Sequence, residues 1–161
     1  MIIGIDNGLE GGLVAMKEDG TIVSYEKMPK VLNMQSGKFE IDLFKVVDWV
    51  EEFAKVGLTT VVLEEPLHAA GSSQSLRSMA MSFGGLRGIF LGFGFPVVRM
   101  QVGEWQTKMI GRGPKGTTKA RALKAAKKLW PQESFILKGC RTPHDGIIDA
   151  ALIAEYYRTK L

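Results

Sequence analysis

The sequence predicts a mixed α/β fold in which one five-stranded sheet carries helices on its faces. Three observations predict it. Short apolar runs of strand length fill the first thirty positions, apolar residues recur at helical spacing over 41–56 and 72–93, and two further apolar runs follow those helices. At 161 residues the chain suits one domain, 1–161, large enough to bury a core without disulfides or a structural metal.

Ile2 to Asp6, Gly12 to Lys17 and Thr21 to Lys27 read as a meander of three strands, with Glu18-Asp19-Gly20 as a tight connection. From Ile41 to Val56, the residues Leu43, Val46, Val47, Val50, Phe53 and Ala54 share one helical face with acids opposite, and Gly57 ends the helix. Leu58 to Glu64 is a buried strand, Ser72 to Phe93 a long helix rich in small residues, and Phe95 to Met100 the fifth strand. A short helical turn over Val102 to Ile110 follows. A basic helix from Thr117 to Leu129, ended by Trp130-Pro131, precedes a last helix from Pro143 to about Tyr157. No internal repeat or linker interrupts this order.

Composition excludes several classes. A single cysteine, Cys140, rules out an intramolecular disulfide framework and a cysteine zinc cluster. The most hydrophobic stretch, Phe83 to Val98, is broken by Arg87, glycines and Pro96, so no membrane span is expected. Without a signal-peptide pattern at its start, the protein is expected in the cytoplasm, or in a host's cytoplasm if viral. Net charge is only +4, but 99–141 holds eleven Lys or Arg against two acids. Such a block is often just a solvated face. Beside an acidic cluster elsewhere in the chain it points to a polyanion.

Four acids form that cluster. Asp6 follows Ile2-Ile3-Gly4-Ile5, Glu64 follows Val61-Val62-Leu63, and Asp145 and Asp149 lie four apart. Carboxylates at the ends of apolar strands are costly to bury unless a cation neutralises them. Strand alternation lets only one of Glu64 and Glu65 point into a given site. Ordinary explanations exist for each acid alone. Asp6-Asn7-Gly8 is a turn signal, Glu64 near Pro66 can cap a strand end, and Asp145 falls at a capping-box position if Thr142 is the N-cap and Pro143 the first helical residue. Asp149 resists such an account, because its neighbours Ile147, Ile148, Ala150, Ala151 and Leu152 are apolar and Asp145 repels it one turn away.

With these residues the chain resembles the RuvC-like Holliday junction resolvases of the RNase H-like superfamily, especially the phage-type members. The likeness runs through Gly4-Ile5-Asp6-Asn7-Gly8, Leu63-Glu64-Glu65, Asp145 with Asp149-Ala150-Ala151-Leu152-Ile153-Ala154, Trp105-Gln106 and the basic 115–131 segment. It implies an RNase H-like sheet of three antiparallel strands then two parallel, and hydrolysis of four-way DNA junctions with two Mg2+ ions, Mn2+ substituting. The resemblance makes Asp6, Glu64, Asp145 and Asp149 catalytic and metal-binding. Arg112, Lys115, Lys119, Arg121, Lys124 and Lys128 are the DNA-binding candidates, with the amino end of the basic helix beside them. Paired nicks on a symmetric junction imply a homodimer, for which the Ser72 to Phe93 helix is the candidate interface, although core burial explains its Met, Phe and Gly content equally well.

The chain departs from the family pattern in three places. Asn7 stands where proline is usual. The position three before Asp149 is Gly146, leaving Asp145 or His144 to supply the fourth ligand. Leu67 and His68 stand where bacterial members carry an aromatic wedge.

Gly111-Arg112-Gly113-Pro114-Lys115-Gly116 formally matches GxGxxG, but it follows no strand and contains proline, so no nucleotide cofactor is expected. His68, His144 and Cys140 make no convincing zinc site or triad. Three other classes compete. A nuclease acting on forks, flaps or RNA–DNA hybrid would share all four acids, a sugar kinase or actin-like ATPase would need phosphate loops that are missing, and a non-catalytic DNA-binding protein would have no use for Asp149.

Overall fold

The computed structural model describes residues 1–54, 58–66 and 73–161. β1 (Ile2–Asp6), β2 (Gly12–Met16) and β3 (Ile22–Lys27) form the antiparallel meander, and β1 and β2 are almost wholly buried. Two more strands join beyond it. Their numbers follow a hairpin, β4 (Lys30–Asn33) and β5 (Lys38–Ile41), and the helix α1 (Leu43–Ala54). β6 (Thr60–Glu64) pairs in parallel with β1, and β7 (Val97–Met100) in parallel with β6, giving the order β3-β2-β1-β6-β7. The crossover between β6 and β7 is α2 (Ser73–Gly92), and α3 (Val102–Met109), α4 (Thr118–Leu129) and α5 (Asp145–Arg158) follow.

Alternation along the strands divides the interior into two cores. Ile3, Ile5, Leu13, Ala15, Val61 and Leu63 face α1 and α2, burying Val46, Val50, Leu86 and Phe90. Ile2, Val14, Met16 and Val62 face the other way, against the core containing Trp105 of α3, Ala122 and Ala126 of α4, and most of α5. An acid on this second face meets α5. Asp6 lies in register with Ile2 and Gly4, and Glu64 with Val62.

α5 lies unusually close to the sheet because glycine lines its path. A Cβ on Gly4 would come within 2.1 Å of the Ala150 carbonyl, and one on Gly12 within 2.7 Å of Ile147 Cα. Gly146 bridges Gly11 directly. Ten residues of α5 are buried, from Gly146 to Tyr156, which explains why its sequence is apolar all round instead of amphipathic.

The structure adds an element to the expected order. The hairpin β4–β5 forms a separate two-stranded sheet, turned at 33–37 by the Gly37 N–H to Asn33 carbonyl bond of 2.8 Å with Gly37 at φ 66°. Ile41, expected to open a helix, instead ends β5. α1 starts two residues later, where Asp42 Oδ1 accepts from the Lys45 N–H at 3.1 Å. α5 also starts later than the Thr142–Pro143 reading. His144 is its N-cap, with Nδ1 accepting from the Ile147 N–H at 3.4 Å, so Asp145 is the first helical residue and not a capping-box acid. Gly57, Leu67 and His68 lie outside the described residues. Among the described residues no helix is long and apolar enough to cross a membrane.

Candidate active site

Asp6 and Glu64 end adjacent parallel strands. Ile5 pairs with Leu63, so the two acids emerge side by side on the face that α5 covers. Asn7, only 2% exposed, ties the two strand ends together by donating from Nδ2 to the Glu64 carbonyl at 2.9 Å. Asparagine here makes a side-chain bond that proline could not. Asp6 accepts the Gly8 N–H on Oδ1 at 3.0 Å, the hydrogen bond of a tight turn.

Asp149 projects from α5 into the same place, and electrostatics show how closely the three acids are coupled. Burial, then the Asp6 charge, push Glu64 up to about 8, with Asp149 adding to the rise and the Trp105 indole opposing it. Burial, then Asp6 and Asp145, push Asp149 up to about 7 against the pull of Lys119. Asp6 is raised by burial, against the Gly8 hydrogen bond and the nearby His144. Like charges sharing a desolvated site behave in this way. Burial makes each acid hard to ionise, and the Asp6 charge adds to that cost at Glu64 and Asp149.

The fourth acid stands apart. Asp145 is exposed, and its Oδ2 pairs with Lys119 Nζ at 2.6 Å, so a residue expected on DNA holds a residue expected on metal. His144 is engaged through Nδ1 as the helix cap. Among the described residues no group of three or more His, Cys, Asp or Glu forms a ready metal cage. Asp6 and Glu64 each turn one carboxylate oxygen to a protein donor, and Asp145 turns one to Lys119.

The remaining basic candidates divide in two. Arg112, Lys115, Lys124 and Lys128 are exposed. Arg121 turns inward. It donates to the Ile110 carbonyl at 3.2 Å, to the Gly111 carbonyl, and from Nε to the Thr117 hydroxyl at 3.1 Å, pinning the glycine-rich loop to α4. Thr117 N-caps α4 without a side-chain cap bond, its hydroxyl donating to the Pro114 carbonyl at 2.7 Å.

Sequence reasoning missed Trp105 as a site residue. It is fully buried and donates from Nε1 to Glu64 Oε1 at 2.7 Å. The available signal was an indole in a short helix directly after the last strand, since a buried indole N–H must find an acceptor.

A sheet in the order β3-β2-β1-β6-β7, with acids ending its central parallel pair and a helix bearing a third acid laid across them, defines a RuvC-like fold of the RNase H-like type. Two solved structures of Thermus thermophilus RuvC share it. One, in complex with a Holliday junction substrate, superposes with a TM-score of 0.62 at 17% identity, covering 99% of this chain and 95% of that one. The other gives a TM-score of 0.58 at 16% identity with the same coverage, 99% and 95%. No family model and no curated protein matches the sequence. The shared property is the fold.

Proposed function

We propose that this single domain, 1–161, is a divalent-cation-dependent endonuclease that resolves four-way DNA junctions by paired nicks. The observation that carries the reading is the convergence of Asp6, Glu64 and Asp149, three desolvated carboxylates at the ends of the paired strands β1 and β6 and on α5 of a RuvC-like fold. An all-carboxylate donor set fits a hard cation such as Mg2+, with Mn2+ as substitute. Asp6, Glu64 and Asp149 would hold it, two ions per site. Asp145 would join them only by giving up its pair with Lys119. Bound cations supply a water of lowered pKa and charge stabilisation for the departing oxygen.

The chain's own residues do the rest. Lys119, at the mouth of the acid cluster, is placed to exchange Asp145 for a phosphate, and exposed Arg112, Lys115, Lys124 and Lys128 would hold the duplex arms through their backbones. A homodimer would bring two such sites to one junction. The outer face of α2, with Gly84 and Gly88 one turn apart and open space above both, would let a second helix approach closely. Catalysis would take place in the cytoplasm, a host's if the protein is viral.

The test compares wild type with Asp149→Asn on a labelled four-way junction, a fork, an RNA–DNA hybrid and a linear duplex, with and without Mg2+. Paired nicks near the crossover that need Mg2+, from wild type alone, are the expected result. An intact junction beside a cut fork or hybrid would move the substrate assignment. No cutting of any substrate would leave a binding protein.

A further inference from the structure

Glu64 is held at both ends by residues that are not acids. Its carbonyl accepts from Asn7, and its Oε1 accepts from Trp105 Nε1 at 2.7 Å. An indole offers one donor and no acceptor. The bond therefore engages one oxygen of the carboxylate, and among the described residues Oε2 accepts no hydrogen bond.

Trp105 itself cannot turn away. Its ring is fully buried in the core that also holds Ala122 and Ala126 of α4 and Ile148 and Leu152 of α5. Its helix starts two residues beyond β7, whose Met100 pairs with Glu64 and accepts the Glu65 N–H at 2.8 Å. The acceptor thus ends one strand of this pair, and the donor's helix follows directly from the other.

A buried indole would be satisfied by any acceptor, and the protein has an example. Trp130 donates to the Gly20 carbonyl at 2.9 Å. Trp105 instead takes a carboxylate already repelled by Asp6 and Asp149. A bond that served the tryptophan alone would not need that carboxylate.

We infer that Trp105 is a positioning residue for cation binding: its indole N–H selects the Glu64 rotamer and presents the free oxygen toward Asp6 and Asp149. This rests on the divalent-cation reading of the site. Groups that orient a ligand side chain without touching the ion commonly change metal affinity about 10- to 100-fold when removed.

The experiment titrates Mn2+ by calorimetry into wild type, Trp105→Phe and Glu64→Gln, each first checked for folding by circular dichroism. Phenylalanine keeps the ring's packing and deletes the donor. Supporting results are a loss of Mn2+ affinity in Glu64→Gln and a drop of about 10-fold or more in Trp105→Phe. If Glu64→Gln loses affinity and Trp105→Phe binds as wild type does, the positioning role is overturned while the cation reading stands. If wild type and Glu64→Gln bind alike, both fall together.

A second measurement needs no variant. The Trp105 indole N–H resonance of wild type is followed by NMR during a Mg2+ titration, where it should shift in step with binding. A resonance that stays still at saturating Mg2+ would also overturn the inference.

Discussion

Asp149 makes the residue scale testable without DNA. Its ordinary pKa of 3.8 rises to about 7 and that of Glu64 from 4.5 to about 8, burial being the first cause of both. A carboxyl raised on folding favours the folded state while protonated and withdraws that support as pH climbs through the raised value. The cation-free protein should therefore lose stability as pH rises from about 4 to about 8, and added Mg2+ should restore it at the upper end. Asp149→Asn removes one charge from the cluster. In EDTA at pH 8 it should melt higher than wild type, by on the order of 1–2 kcal/mol, or roughly 3–6 °C; at pH 5, where Asp149 is already protonated, the gain should vanish. Thermal melts at the two pH values check this, and a gain equal at both would show that charge is not its source. The acids were legible in the sequence because a carboxylate ending an apolar run is a physical anomaly wherever it occurs. Asn7 and Trp105 were not, because their bonds to Glu64 span 57 and 41 residues and exist only once the strands are paired. Nor could sequence show Lys119 reaching Asp145.

At the scale of elements, the position of α5 decides whether a site exists. Gly4 sits on the face of β1 that α5 covers, and a methyl there would meet the Ala150 carbonyl at 2.1 Å and Ala154 Cβ at 2.9 Å. Both contacts are with a helix buried along most of its length, so no flexible side chain can yield. Gly4→Ala is expected to destabilise the protein by at least about 2–3 kcal/mol through overpacking, and to reduce cleavage further by moving Asp149 away from Asp6. Urea denaturation beside a junction assay checks it, and wild-type stability would mean that α5 has room to shift. The strands of the main sheet were readable because burial imposes their pattern. The β4–β5 hairpin was not, since Val31, Leu32 and Phe39 are exposed and their neighbours Lys30, Lys38 and Glu40 are charged. Backbone pairing and a glycine turn carry it, without a buried face to set a period of two. The start of α5 moved for a related reason. Thr142 and Pro143 have the right chemistry for a helix entry, but the His144 N–H is bonded to the Phe135 carbonyl at 2.9 Å, and His144 stays extended as the cap.

Over the whole molecule the charge is divided between an acidic cluster on the central strands and α5 and a basic segment over 99–141. The +9 carried by 99–141 is offset by −5 in the rest of the chain, but the basic residues do different jobs. Lys119 is paired with Asp145 and Arg121 spends its donors on its own loop, which leaves Lys115, Lys124 and Lys128 among the exposed charges that can meet phosphate. Each phosphate neutralised releases counterions, so the logarithm of the affinity falls against the logarithm of salt with a slope of about −0.9 per contact. The variant Lys115→Gln/Lys124→Gln/Lys128→Gln should therefore bind a junction more weakly, with a slope shallower by about 2.7 if all three touch phosphate. Linear duplex should weaken in proportion, because backbone contacts carry no structural preference, and the nick positions should stay where wild type puts them. Arg121→Gln provides the contrast. It should leave the slope unchanged and speed hydrogen exchange over 110–117, since what it loses are bonds within the protein. Filter binding across a salt series separates the two cases: a triple variant with the wild-type slope would remove α4 and its preceding loop from the DNA-facing surface, and a shallower slope in Arg121→Gln would put that guanidinium back on the phosphates.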